Sequence, residues 1–214
     1  MTSPVLLAIA LRRLAVAIAL VVVAAPAATA QQPATPKAFV EEMSSTALKQ
    51  LTASDLTDAE RVKRFRKLLV ENFDVPVVGR FVLGVHWRQT SEAQFKEFLR
   101  LYEIYVAHNY AGLFKKYKGE TIDILKEEES RNGTYLVFGR INQPSGPPIA
   151  MEVRVHKNDS SFKVLDLKIE GVSMPLTHRK QFASVISRSR NGVNGLISAL
   201  RRATDRFEAE TPSQ

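Results

Sequence analysis

Beyond residue 37 the apolar positions first recur every three to four residues, then every second residue between 121 and 169, then every three to four again. That change of period separates helices from sheet. Residues 38–51 place Phe39, Met43 and Ala47 on one helical face, and residues 58–72 do the same with Val62, Phe65, Leu68 and Leu69. Asp74 beside Pro76 is an N-cap signal for a short helix that runs through Leu83 and stops at Gly84. Ser91 and Gln94 have the spacing of a capping box. They open the longest helix, to about Tyr117, with Phe95, Phe98, Leu99, Tyr102, Tyr105 and Val106 on one stripe. Leu101 and Ile104 widen that stripe, so the helix must be covered on two sides or line something hydrophobic.

The alternating part reads as strands. Residues 121–127 form the first, and Asn132-Gly133 is a hairpin turn. Tyr135, Val137, Gly139 and Ile141 alternate with Leu136, Phe138 and Arg140. After a proline-rich loop at 144–148, Ile149, Met151, Val153 and Val155 alternate with Glu152, Arg154 and His156. A turn at 158–161 leads to Leu165, Leu167 and Ile169, alternating with Asp166, Lys168 and Glu170. Thr177 is the cap expected for a helix carrying Phe182, Val185 and Ile186. A last helix from Gly192 or Asn194 carries Val193, Leu196, Ile197 and Leu200, and the acidic tail after Phe207 is expected to fray. The fold class is α+β: a curved four-stranded antiparallel sheet with helices packed on one face, enclosing an apolar pocket.

The first thirty residues change the picture of compartment. Arg12 and Arg13 precede an apolar run at 14–25, Pro26 breaks it, and Ala28-Thr29-Ala30 has the small-x-small pattern of a signal-peptidase site. Residues 1–30 therefore read as a cleavable signal peptide, and 31–214 as a single domain with flexible ends, expected in the periplasm. The apolar run is short for a bilayer-spanning helix, and no later stretch is long and apolar enough, so stable membrane insertion is not expected. The formal net charge is +8. The leader carries two arginines and no acid, so its removal leaves +6. That favours anionic surfaces, and export argues against nucleic acid as the partner. With no cysteine in the chain, disulfides, thiol catalysis and a lipoprotein anchor are excluded.

Chemistry is sparse. His86, His108, His156 and His178 have no partners at metal-ligand spacing, so no metal is expected and each histidine reads as surface or structural. Gly171-Val172-Ser173-Met174-Pro175 lacks the second glycine of a nucleophile elbow. The acidic run at 127–129 reads as a solvated turn, and Lys115, Lys116 and Lys118 complement the end of the long helix. Neither a P-loop nor a dinucleotide fingerprint is present. No catalytic residues and no cofactor are expected.

Several segments resemble a known family. Phe73-Asp74-Val75-Pro76, Gly79-Arg80-Phe81-Val82-Leu83-Gly84 and Trp87-Arg88 form one signature stretch. The aromatic-rich helix at 95–110 follows, then Gly146-Pro147-Pro148-Ile149 and Lys163-Val164-Leu165-Asp166. Ile169-Glu170-Gly171-Val172-Ser173-Met174 with Arg179, Phe182 and Ile186 is the most specific. In order and spacing these resemble the MlaC, or toluene-tolerance, family over most of residues 36–205. One departure is Val153, where many members carry tryptophan. The resemblance implies a periplasmic shuttle. It would carry phospholipid between an outer-membrane lipoprotein complex and an inner-membrane ABC transporter bearing an MCE-domain protein. Hopanoid or another polycyclic lipid is an alternative cargo, and a periplasmic adaptor without cargo is an alternative function.

A lipid slot would lie between the apolar sheet face and the facing helices. From the short helix and the long one it would draw Val78, Phe81, Val82, Phe98, Tyr102 and Tyr105. From the sheet it would draw Val137, Met151, Val153, Leu167 and Ile169, and from the last strand and the helix after it Val172, Met174, Phe182 and Ile186. The same periodicity serves an ordinary core equally well. The tyrosines and Arg80 are candidates for orienting the polar end of a cargo.

Overall fold

A computed structural model describes residues 33–159 and 161–210. The expected leader lies outside the described residues. In chain order the elements are α1 Pro36–Leu51, α2 Asp58–Asn72, α3 Val75–Leu83, a 3-10 turn Gly84–Gln89 and α4 Glu92–Lys115. Then come β1 Thr121–Glu129, β2 Thr134–Asn142, β3 Ile149–Asn158, β4 Ser161–Ile169, β5 Val172–Ser173, α5 Met174–Arg188 and α6 Val193–Glu210.

The helices start where side chains can take the first free N–H groups. Thr35 accepts from Ala38 N, with Pro36 at the first position of α1, where no N–H is needed. Thr57 and Glu60 form a capping box on α2, and Ser91 and Gln94 form the expected one on α4. Asp74 caps α3 through Val77 N at 3.1 Å. Gly84, at φ +59°, ends α3 in a conformation that disfavours side chains. The breadth of the α4 stripe has its counterpart in the packing, because α2, α3 and α6 all contact this helix.

The sheet is antiparallel in the order β1-β2-β3-β4-β5. The fifth strand corrects the expectation of four. It is two residues long, with Ile169 opposite Val172 and Lys168 opposite Ser173, too short to show a period in sequence. Asn132 and Gly133 both take positive φ in the β1–β2 connection, as an Asn-Gly hairpin requires. The register shifts between Ile124 and Lys126, and again between Arg154 and Val155. Such bulges bend and twist a strand pair. The α5 cap is a second correction. Ser173, not Thr177, accepts from Leu176 N, and the helix begins at Met174. The Thr177 hydroxyl instead donates to the Ser173 carbonyl at 2.7 Å. α6 is helical through Glu210, and the rest of the tail lies outside the described residues.

The helices meet the sheet in two places. α1 lies on β1 and β2, while α2, α3 and α5 reach β4. Phe73 forms a parallel bridge to Val164, and Asp74 N donates to the Val164 carbonyl at 3.0 Å. His156 Nε2 lies 2.9 Å from the Asp74 carboxylate and ties the start of α3 to β3. Glu127, read from sequence as part of a solvated turn, accepts from Lys37 N at the start of α1 at 2.5 Å.

Arg61 is 4% exposed and organises the α1–α2 connection. Its guanidinium donates to the carbonyls of Leu51 at 2.9 Å and Ala53 at 3.3 Å, and to Asp58 Oδ1 at 3.2 Å. Removing it leaves buried carbonyls unpaired at a cost of about 1–3 kcal/mol. Arg61→Ala is therefore expected to destabilise the fold by roughly 2 kcal/mol. Urea unfolding that gives an unchanged midpoint would contradict this anchoring.

Candidate ligand-binding site

The buried apolar side chains divide into two clusters. A helical cluster contains Val78, Val82, Phe98, Leu101, Tyr102, Phe182 and Ile186. A sheet cluster contains Val137, Met151, Val153, Val155 and Val164 under Phe39 and Val40 of α1. Phe73 packs against both, so the two clusters meet at the seam where α3 joins β4. Register explains the sheet cluster. Val153 is opposite Val137 on one side and Leu167 on the other, and Met151 is flanked by Gly139 and Ile169. Gly139 has a steric reason. A Cβ there would sit 2.8 Å from the Asp123 carbonyl and 3.0 Å from Met151 Cε.

The fifteen residues expected to form a slot fall into three environments. Val78, Val82, Phe98, Tyr102, Phe182 and Ile186 are buried among helices, with Tyr105 and Met174 half-buried against them. Val137, Met151 and Val153 are buried on the sheet, with Leu167 and Ile169 half-buried beside them. Phe81 is 44% exposed and Val172 63%. They lie with Val77 and Leu176 on the surface where α3 packs beside α5. The fifteen residues are thus shared between the two clusters, which Phe73 joins, and an exposed apolar margin.

Arg80, a candidate for orienting cargo, places its guanidinium carbon 5.0 Å from the Trp87 ring centre and 5.6 Å from that of Phe95. Arg179 stands 5.0 Å from the Phe81 ring centre.

Sequence reasoning gave no particular place to a buried polar group. His178 is 3% exposed, with Nδ1 2.9 Å from the Tyr102 hydroxyl and Nε2 3.1 Å from the Tyr110 hydroxyl. A neutral imidazole donates from one nitrogen and accepts at the other, so it can satisfy both hydroxyls. Its ring stacks on Phe182 at 5.9 Å and 9°. Burial lowers its pKa from 6.5 to about 4 and raises those of Tyr102, Tyr105 and Tyr110. Ser173, the residue inspected as a possible nucleophile, donates its hydroxyl to Asp166 at 2.9 Å and caps α5. Burial raises the Asp166 pKa, and Ser173 opposes that. Both His178 nitrogens are spent on tyrosines, so Ser173 and His178 do not form a nucleophile–base pair.

A separate groove of about 600 Å³ lies between α2 and α4, lined by Ala59, Val62 and Ile104 together with Lys63, Lys67 and Glu71. The Arg66–Glu103 pair, at 2.9 Å, borders it. It contains none of the fifteen residues. Among the described residues no group of acidic or histidine side chains could hold a metal ion, and no helix is long and apolar enough to cross a membrane.

Comparison with known proteins adds three findings. The fold is similar to that of the phospholipid-binding protein from Ralstonia solanacearum, solved in complex with a phospholipid. The TM-score is 0.72 at 23% sequence identity, over 82% of this chain and 98% of that one. No curated protein matches the chain. Residues 41–202, from the second turn of α1 into α6, match the family model of the MlaC protein, and the chain belongs to the MlaC family.

Proposed function

We propose that the protein binds a phospholipid between its sheet and its helices and carries it through the periplasm. Membership of the MlaC family carries this reading. The phospholipid held by the structurally similar Ralstonia protein supports it. So does the division of the core into two apolar layers that meet at Phe73. The acyl chains lie between the layers, along Val153, Leu167 and Ile169 on one side and Tyr105, Met174 and Phe182 on the other. The remaining residues of the expected slot form its walls, and Phe81 and Val172 its margin. Residues 1–30 act as the export signal. The chain exchanges cargo with an outer-membrane lipoprotein complex and an inner-membrane MCE-domain ABC transporter, and it performs no catalysis.

The energetics favour a carrier with few polar contacts. Burying one methylene is worth about 0.8 kcal/mol, so roughly thirty of them sum to about 25 kcal/mol against water. That exceeds the ceiling of about 21 kcal/mol for non-covalent binding. The donor bilayer buries the same chains, however. The slot has only to match a membrane for loading and release both to proceed, and tolerance of different chains follows.

Solvent extraction and mass spectrometry of the purified chain, expressed without residues 1–30, are expected to find a two-chain phospholipid at about one per protein. Leu167→Glu puts a carboxylate beside the acyl path, where desolvation costs several kcal/mol. Lipid content is expected to fall at least about tenfold with the circular dichroism unchanged. A chain that carries no lipid, and takes none from phospholipid vesicles, would sink the carrier reading. Recovery of a polycyclic lipid in place of phospholipid would redirect it to that cargo.

A further inference from the structure

Arg179 is half-buried, yet among the described residues no carboxylate or carbonyl accepts a hydrogen bond from it. Its guanidinium is nevertheless held in place. It lies over the Phe81 ring, 5.0 Å from its centre. It also lies beside Gly84, where a Cβ would come within 3.0 Å of Nε and 3.2 Å of a terminal nitrogen. Gly84 thus performs two tasks: its positive φ ends α3, and its missing side chain admits the guanidinium. An arginine that rests on a ring beside a backbone turn is restricted in its rotamers, and its fork of donors suits a planar or tetrahedral oxyanion.

The surroundings define what such an anion must be attached to. Phe81 and Val77 stand one turn apart on α3, and Leu176 stands one turn before Arg179 on α5. These three side chains are exposed, as is Val172 immediately before the α5 cap. A free inorganic anion gains nothing from four exposed apolar side chains. An amphiphile that joins a phosphate to acyl chains uses both.

Resting on the carrier reading above, we infer that Arg179 is the headgroup subsite of the slot and takes the phosphodiester of the bound lipid. The glycerol and the first methylenes lie against Phe81, Leu176 and Val172. The carrier thereby distinguishes phosphate-bearing lipids from neutral lipids with the same chains.

The test compares dioleoylphosphatidylglycerol with dioleoylglycerol, each offered to the delipidated chain, for wild type and for Arg179→Met, which keeps an apolar stem against Phe81. Hydrogen bonds to charged groups are worth enough to change affinity about 10- to 100-fold. Wild type is expected to prefer the phospholipid by that factor. Arg179→Met is expected to lose the preference while keeping its affinity for dioleoylglycerol, which also reports that it is folded. Arg179→Lys is expected to recover part of it, as a point charge without the fork. Equal affinity of wild type for the two lipids would overturn the subsite, and so would an equal loss for both in Arg179→Met. Displacement of the phospholipid preference by excess inorganic phosphate would assign Arg179 to a free anion and overturn it too. Uptake of neither lipid by wild type would overturn the carrier reading itself, and this inference with it.

Discussion

Replacing Phe98 by alanine is expected to lower stability by about 3–5 kcal/mol, the usual cost of deleting a fully buried aromatic ring. Phe98 is fully buried at the centre of a ring array. It stacks on Tyr102 at 5.5 Å and 11°, meets Phe182 edge-on at 6.2 Å, and lies 6.4 Å from Phe95. The neighbours are themselves pinned, Tyr102 by His178 and Phe95 by Trp87 at 4.5 Å, so the cavity cannot close by small movements. The melting temperature should drop by roughly 10 °C for a chain of this size. Phe98→Leu keeps part of the volume and should cost less than half as much. A calorimetric loss below about 1 kcal/mol for Phe98→Ala would contradict a rigid array.

The second large effect is a dependence of stability on pH. In the unfolded chain His178 titrates near 6.5, and burial holds it at about 4 in the fold. Between those values the unfolded state binds more protons, so acid favours unfolding. The contribution is complete above pH 6.5 and is lost progressively as the pH falls to about 4, a total of about 3 kcal/mol. Charging the ring would also leave one tyrosine hydroxyl facing an N–H that can no longer accept from it. Asp166, whose carboxyl is raised by burial, acts in the opposite sense just above its ordinary value. His178→Phe isolates the histidine. The variant should be less stable at pH 7, because two hydroxyls lose their partner, but its unfolding free energy should be flatter between pH 4 and 6.5. Parallel slopes for wild type and variant would rule His178 out as the source.

Helix positions were legible because their signals are local. Ser91 with Gln94, and Asp74 beside Pro76, start helices through contacts within one turn. The alternation at 149–155 exposed the β3 face for the same reason. What stayed hidden depends on partners far along the chain. The hydroxyls of Tyr102 and Tyr110 reach His178 across 76 and 68 residues. On the sequence they are only two more aromatic positions on an apolar stripe. The α5 start was misplaced because Ser173 owes its position to β5, and β5 exists only where its two residues pair with the end of β4. The slot residues were legible as apolar but not as separate layers. Periodicity reports that Val153 and Phe98 point inward, and nothing local reports that one belongs to the sheet cluster and the other to the helices.

The docking of α1 on the sheet has a consequence for how the chain matures. Phe39 and Val40 complete the sheet cluster, and Lys37 N is taken by Glu127, 90 residues later. Until those strands have formed, the apolar face of α1 stays open to other molecules. Closing so long a loop also places this contact late in folding. The N-terminal helix is thus the part of the domain most in need of protection before the sheet is complete, and the last to commit once it is.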